Sequence, residues 1–189
     1  MFEFEPDEYI FTKFAFFFKK RKKKKEEALE HAVNLSDVKP RLTIFARAIT
    51  GQSIEIFEAE REGGYKNNNF FLPTKFFDFE TEEENLSFYL FRILYLSIQK
   101  NLDYNWNDTL EHDTPESQQK AQETSHQVLK ELFNQFPITE KYHQKFVSFY
   151  ENKATEKQPA DFTFIYGKWM KNSPDDDSEN QLKNFTEKV

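Results

Sequence analysis

The amino-acid sequence predicts a mainly helical α+β domain with one small β-hairpin around residues 53–73. Three observations support this fold class. In several long stretches, apolar residues recur at helical spacing, and in one stretch they would cover nearly the whole circumference of a helix. One stretch alone combines strand-like alternation with paired turn residues. The chain also has only four glycines in 189 residues, three of them between residues 35 and 73. We expect residues 1–171 to form a single domain and residues 172–189 to be an acidic tail or linker.

Composition excludes several classes of function. Hydrophobic residues make up 38% of the chain, yet aromatic residues reach 17%, so rings should fill much of the core. The net charge of −7 argues against general affinity for nucleic acid. The absence of cysteine excludes disulfides, thiolate nucleophiles and cysteine-ligated zinc. Neither of the glycine-rich phosphate-binding motifs, G-x-G-x-x-G and G-x-x-x-x-G-K-S/T, occurs.

No segment carries the pattern of a signal peptide or of a membrane span. The N-terminus is acidic where a signal peptide would be basic. The longest nearly uncharged apolar run, residues 86–98, contains Arg92 and is shorter than the roughly 18 residues that a span needs. We therefore expect a cytoplasmic protein.

Residues 7–33 are expected to form the first helix, because no proline or glycine interrupts them. Within this helix, a phenylalanine-rich segment runs into seven consecutive basic residues at 19–25. Such a helix can bind a membrane surface or an acidic partner, and membrane contact is expected only here. The plainer interpretation, which we favour, is a solvated face with acidic neighbours. The partner-binding candidates in this helix are Lys19, Lys20, Arg21 and Lys22.

The second helix is expected between residues 36 and 50. Ser36 or Asp37 can cap it, and Pro40 is tolerated in its first turn. A single apolar stripe follows at spacings of four, three and four residues. Gly51 stands where a left-handed residue commonly ends a helix. The stripe comprises Val38, Leu42, Phe45 and Ile49.

The hairpin is predicted from two short apolar segments and two turn signals. Residues 54–56 alternate as a half-buried strand does, although Phe57 breaks the alternation. The Gly63-Gly64 pair and the three asparagines at 67–69 mark turns. Residues 70–72 then indicate a second strand, which Pro73 ends.

Residues 85–102 are apolar nearly all round, which is typical of a central, covered helix. Arg92 is its one polar anomaly. We expect Arg92 to pair with a carboxylate or to reach solvent at a helix edge, since an unpaired buried charge is costly. The functional alternative is that Arg92 anchors an acidic group of a partner.

Two further helices are expected in the C-terminal half. The first begins near Thr114 and Pro115 and ends at Pro137, and the second opens at Thr139. The alternation of aromatic residues at 162, 164 and 166 predicts a short extended segment before Gly167. From residue 172 onward the chain is acidic and nearly free of apolar residues.

No catalytic or metal-binding pattern is evident, and no cofactor is expected. The four histidines stand far apart and form no short metal-ligand spacing, and no G-x-S-x-G elbow occurs. Zinc peptidases often place ligands on a helix that follows a hairpin, but residues 85–92 contain no histidine. If the chain were nevertheless a peptidase-like hydrolase, the first candidates would be Glu111, His112 and Asp113 near His126.

Several pieces of the chain, in this order and spacing, resemble one protein family. They are LSDVKPRL at residues 35–42, AITG at 48–51, GGY at 63–65 and FFLP at 70–73, with FIYGKW at 164–169 as a later landmark. Together they resemble the N-terminal region of the nitric oxide reductase activation protein NorD and of its relative CbbO. That region precedes an acidic linker in the family.

The resemblance implies a helper protein that is not an enzyme. Such proteins work with a MoxR-type AAA+ ATPase to remodel a target metalloenzyme, a nitric oxide reductase for NorD-like members and Rubisco for CbbO-like ones. The family's von Willebrand factor A domain carries a D-x-S-x-S metal site. The nearest string here, at 176–180, lacks the final serine, so metal-mediated target binding is not expected. The remaining partner-binding candidates are Gly63, Gly64, Tyr65, Phe71, Leu72, Pro73 and Trp169.

Overall fold

A computed structural model describes residues 31–173, and α-helices dominate this part of the chain. A sheet of three strands and one of two strands complete it, which confirms the predicted mainly helical α+β class. Of the helix predicted over residues 7–33, only residues 31–33 are described, and they are not helical, because Val33 begins a β-strand. The rest of that helix lies outside the described residues, as does the chain from residue 174 onward.

Ten elements follow one another along the chain. The helices are α1 (Leu35–Thr50), α2 (Glu82–Asn101), α3 (Thr114–Gln135), α4 (Ile138–Lys153) and the single-turn α5 (Thr163–Tyr166). The strands are β1 (Val33–Asn34), β2 (Glu55–Ala59), β3 (Gly64–Lys66), β4 (Asn69–Pro73) and β5 (Lys75–Phe76).

The three-stranded sheet has the order β2-β4-β3. Strands β3 and β4 form an antiparallel hairpin, with a turn at Asn67, whose φ is +51°. A hairpin therefore lies within residues 53–73, as predicted, but its first strand is β3 and not residues 54–56. Strand β2 pairs with the other edge of β4 and runs parallel to it, so that Phe57 lies opposite Phe71. The sequence pattern predicted residues 54–56 and 70–72 as the two strands of the hairpin, with turns at 63–64 and 67–69 between them. Instead, β4 inserts between β2 and β3. A separate antiparallel pair joins β1 to β5.

Helix α1 confirms the predicted apolar stripe. Val38, Leu42 and Phe45 are buried, and Ile49 packs against the same core. Gly51 ends the helix with a φ of +65°. The predicted caps, Ser36 or Asp37, were wrong by two or three residues, because Asn34 is the N-cap residue. Its side chain makes no capping hydrogen bond and donates to the Asp37 carboxylate at 3.2 Å.

Helix α2 is the central element, as the sequence predicted. Every residue from 85 to 99 is buried, and the helix packs against α1, α3, α4 and the inner face of the β2-β4-β3 sheet. Thr81 and Glu84 form a capping box at its start. Aromatic rings make up much of the surrounding core, where Phe88 stacks on Phe76 with centroids 3.6 Å apart.

Helices α3 and α4 confirm the predicted stop at Pro137. The Asp113 carboxylate caps α3 by accepting a hydrogen bond from the Glu116 N–H at 2.8 Å. The expectation of an extended segment at residues 162–166 was wrong, because this segment forms α5. The spacing from Phe162 to Tyr166 also fits one helical turn, and the fully buried residue is Ile165, which the alternation had placed on the outside.

Arg92 neither reaches solvent nor hydrogen-bonds to a carboxylate, which corrects the expectation for this residue. The side chain is fully buried in α2, and its Nη1 donates to the Ile165 carbonyl oxygen at 2.7 Å. A longer contact of 3.4 Å joins Nη2 to the Glu62 carbonyl oxygen. Burial lowers the pKa of Arg92 to about 10, while Tyr95 and Glu62 oppose the shift, so the guanidinium is charged at neutral pH. Arg92 thus ties α2 to α5 and to the segment that joins β2 to β3.

Gly167 is required by this contact, and its replacement provides a test. Its φ of +72° and ψ of −147° are nearly restricted to glycine, and a Cβ there would lie 2.4 Å from Arg92 Nη2. We expect Gly167→Ala to lower the free energy of unfolding by at least about 3 kcal/mol. The measurement is urea denaturation followed by circular dichroism.

Gly51→Ala is the matched control for backbone strain. Gly51 also has a positive φ, but a Cβ there would have no neighbour within 4 Å. This variant should cost only about 1–2 kcal/mol, the penalty of the left-handed conformation. Equal losses for the two variants would show that the Arg92 contact does not create the requirement for glycine at 167.

Candidate protein-binding surface

The β2-β4-β3 sheet has one covered face and one face that carries exposed aromatic rings. Ile56, Phe70 and Leu72 point inward and are fully buried against the core. Phe57 and Phe71 alternate with them, and therefore point to the opposite side, here called the outer face. Their side-by-side register brings the rings together, with centroids 5.6 Å apart and an interplanar angle of 26°.

The Phe57–Phe71 pair is only partly covered. Phe57 is 43% exposed, whereas Phe71 is half-buried. The Lys39 ammonium, from α1, lies 5.5 Å from the Phe57 ring centroid, within the range of a cation–π contact. Scattered exposed apolar residues are common, but aromatic side chains are enriched at protein interfaces. This arrangement can bind an apolar side chain of another polypeptide.

Sequence reasoning identified Phe71 but missed Phe57. The sequence did contain an indication of Phe57, because the alternation that buries Ile54 and Ile56 places the apolar Phe57 on the opposite side of the strand. Phe57 is an apolar residue at a strand position where the alternation predicts an exposed side chain. Such a residue can indicate a binding surface, and it need not mean that the strand is irregular. Only the parallel pairing of β2 with β4 places Phe57 beside Phe71.

Most of the other predicted partner-binding residues are covered in the described structure. Gly64 is covered because a Cβ there would lie 2.3 Å from the Lys168 carbonyl oxygen. Tyr65 is 2% exposed, and this burial raises the pKa of its hydroxyl. Lys19, Lys20, Arg21 and Lys22 lie outside the described residues. Among the candidates that the structure describes, accessible surface therefore remains mainly at Phe71 and Trp169. Partner binding by the predicted residues stays a prediction. The buried members are Gly63, Gly64, Tyr65, Leu72 and Pro73.

Trp169 lies in a segment, residues 168–173, that is fastened across the body of the protein and is here called the strap. The Lys168 N–H donates to the Gly63 carbonyl oxygen at 3.0 Å, and the Trp169 N–H donates to that of Ser117 at 3.1 Å. The Trp169 ring packs edge-on against Trp106, with centroids 5.0 Å apart. Trp169 therefore joins the strap to the body of the protein.

The strap continues to the last described residue. Asn172, where we expected the tail to begin, donates its N–H to the Trp106 carbonyl oxygen at 2.9 Å. Ser173 exchanges two hydrogen bonds with the Asn67 side chain, at 2.7 and 3.0 Å. Residues 172 and 173 are thus held at the turn between β3 and β4.

His112 is held by an aromatic ring and two carboxylates beside the strap. Its ring stacks on Trp106 with centroids 3.7 Å apart and an interplanar angle of 7°. Nε2 contacts the Asp108 carboxylate at 3.0 Å, and Nδ1 contacts that of Glu116 at 3.1 Å. An ionised carboxylate only accepts hydrogen bonds, so both contacts are hydrogen bonds only in the imidazolium form, in which both ring nitrogens carry a proton. The bond to Asp108, and then that to Glu116, raise the pKa of His112 above 6.5, although desolvation opposes them.

The four hydrolase candidates make separate contacts. Glu111 pairs with Lys171 at 3.7 Å, Asp113 caps α3, and the His126 ring contacts the carbonyl oxygen of Glu123 at 3.1 Å. His112 binds Asp108 and Glu116, as described above. Within residues 31–173, no group of three or more histidine, aspartate or glutamate residues is placed to hold a metal ion.

Comparisons of the chain with family models, curated proteins and solved structures found no match. The likeness to NorD and CbbO therefore stays a prediction. Among the helices of residues 31–173, none is both long enough and apolar enough to cross a lipid bilayer.

The His112 cluster predicts a pH-dependent contribution to stability. Because the pKa of His112 is raised in the folded protein, the stabilisation is present in full below the unfolded pKa of about 6.5. It is lost as the pH rises through the folded pKa. Wild type should therefore exceed His112→Gln in thermal midpoint at pH 6, and the difference should shrink by pH 9. Differential scanning calorimetry at both pH values measures this.

His126→Gln serves as the control, because His126 lies on the exposed side of α3. The same substitution at His126 leaves the contacts of His112 with Asp108 and Glu116 in place. A His112→Gln difference that does not change between pH 6 and 9 would contradict the imidazolium assignment.

Proposed function

We propose that the chain is a non-catalytic adaptor domain that binds a protein partner through the outer face of its three-stranded sheet. The observation that carries the proposal is the Phe57–Phe71 pair, two stacked and partly exposed rings beside Lys39. The sequence resemblance suggests the partner, a MoxR-type AAA+ ATPase. With that ATPase, the domain would help activate a target metalloenzyme such as a nitric oxide reductase in the cytoplasm.

The energetics of the outer face support this proposal. Fully burying one phenylalanine side chain stabilises an interface by about 1.5–3 kcal/mol. Two neighbouring rings therefore supply enough binding free energy for an interface hot spot, and aromatic residues commonly form hot spots. The sheet beneath is rigid, because Phe70 and Leu72 on its inner face are fully buried and pack in the core around α2. A preorganised face loses little conformational entropy on binding.

The polar residues that were candidates for catalysis or for binding an acidic partner group have structural roles. Arg92 donates to main-chain carbonyl groups inside the core. Asp113 caps α3, and His112 is enclosed by a tryptophan and two carboxylates. These groups stabilise the fold around the strap, which supports an adaptor over a hydrolase.

Replacing an exposed ring tests the proposed function. We expect Phe57→Ser to weaken binding to the purified MoxR-type ATPase of the same organism at least about tenfold, the effect of losing about 1.4 kcal/mol. Phe71→Ser should act in the same direction. Biolayer interferometry measures the affinity, and the ATP hydrolysis rate, with and without the domain, reports coupling.

Phe77→Ser is a closely matched control. Phe77 is 45% exposed and has Lys75 5.9 Å from its ring centroid, so its environment resembles that of Phe57. It lies outside the β2-β4-β3 sheet and should bind as wild type does. Unchanged binding of Phe57→Ser, or an equal loss in Phe77→Ser, would count against the outer face. An absence of binding by wild type would count against the ATPase as partner.

A further inference from the structure

We infer that the outer face of the sheet is also the docking site for the chain's own acidic C-terminal segment, residues 174–189, which covers the Phe57–Phe71 pair intramolecularly. This inference does not depend on the proposed function, because both sides of the contact belong to one chain. Three features support it, namely where the strap ends, how far the segment can reach, and how its charges and apolar residues are ordered.

The strap delivers the segment to the rim of the outer face. Ser173 is held by the Asn67 side chain at the turn between β3 and β4, through two hydrogen bonds of 2.7 and 3.0 Å. Asn69 opens β4 two residues later and lies opposite Glu55, the first residue of β2. Ser173, the last described residue, therefore lies at the end of the sheet where β2 and β4 begin.

The distance to the aromatic pair is short compared with the reach of the segment. Phe71 lies four residues beyond Asn67, and a strand rises about 3.3 Å per residue, so the path is roughly 13 Å. Residues 174–189 are sixteen residues and can span at most roughly 50 Å. A tether this short gives an effective concentration in the millimolar range, at which a weak contact is populated.

The order of residues in the segment matches the order of features on the outer face. Lys66 lies in register with Asn69 near the rim, and its neighbour Tyr65 points into the core, so Lys66 belongs to the outer side. The aromatic pair lies farther in. The segment likewise has four acidic residues among its first six positions, and Leu182 and Phe185 follow them, with Lys183 in between. The acidic residues are Asp175, Asp176, Asp177 and Glu179.

The acidic side chains of β2 do not repel an acidic segment at the aromatic pair. Glu55 points to the outer side but is paired with Arg47. Glu58 alternates with Phe57 and so points to the opposite side of the sheet. Lys39 is the cation nearest the Phe57 ring among the described contacts, at 5.5 Å. A carboxylate-bearing segment therefore meets lysines at the rim and beside the rings.

The absence of cysteine allows a direct test on the full chain. Thr186→Cys places a single nitroxide label beside Phe185. Docking predicts that the label broadens the backbone amide signals of β2 and β4 in the nuclear magnetic resonance spectrum of the same molecule. Phe185→Ser should lower the docked-to-free ratio about tenfold, the effect of losing one aromatic contact. Replacing the three aspartates at 175–177 by asparagine should also reduce the broadening, most visibly at low salt.

Variants on the sheet and a mixing experiment complete the test. Phe57→Ser should reduce the broadening as Phe185→Ser does, whereas Phe77→Ser should leave it unchanged. Phe185→Ser lies outside the described fold, so it separates loss of docking from loss of folding. Broadening that is absent from β2 and β4, or that survives both Phe57→Ser and Phe185→Ser, would overturn the inference. Broadening seen when the labelled chain is mixed with an isotope-enriched, unlabelled chain would overturn it in favour of a second copy as the occupant.

Discussion

The structure depends on one buried cation in its central helix. The Arg92 guanidinium has no access to solvent, and its shortest hydrogen bond goes to the carbonyl oxygen of Ile165, in the single turn of α5. Helix C-terminal carbonyl groups lack intrahelical partners and carry partial negative charge, so they suit a buried cation. The second contact, to the Glu62 carbonyl oxygen, reaches the chain just before β3. Through this one side chain, α2 determines where the strap begins and where the β3–β4 hairpin starts.

This constraint explains why the two faces of the sheet differ. The hairpin is held close to α2 by Arg92 on its inner side and by the strap along β3, and the inward side chains Ile56, Phe70 and Leu72 are fully buried. The outer face meets Lys39 and Arg47 of α1 near β2, and it meets the strap at the β3 edge, where Gly64 permits the close approach of the Lys168 carbonyl group. Phe57 and Phe71, farther from that edge, remain partly uncovered. Their exposure is a consequence of strand order as much as of residue type.

Local patterns in the sequence were sufficient for helices α1 to α4 but insufficient for α5, the sheet and the strap. The stripe from Val38 to Ile49 and the apolar run in α2 specify their own burial, because helical periodicity is a property of neighbouring residues. The insertion of β4 between β2 and β3 depends on pairing between distant segments, which alternation does not encode. The aromatic residues at 162–166 fit a strand and a helical turn equally well, and only the burial of Ile165 decides between them.

The candidate surface shows the same division. Phe71 was recognisable from its short apolar motif. Phe57 was recognised only from the structure, in which the parallel pairing of β2 and β4 places it opposite Phe71. Arg92 was recognisable as an anomaly, but its acceptors are main-chain carbonyl groups 30 and 73 residues away. No side-chain pattern identifies a carbonyl acceptor. Residues whose role depends on such long-range backbone contacts lie beyond what reasoning from a single sequence can resolve.

The placement of the two tryptophans gives the molecule a built-in optical probe. The chain contains only Trp106 and Trp169, and they contact each other where the strap meets the body. One of them also lies flat against the His112 ring. Indole emission from this protein therefore originates at a single joint, so a spectral change observed during any titration reports on that joint and not on the fold as a whole.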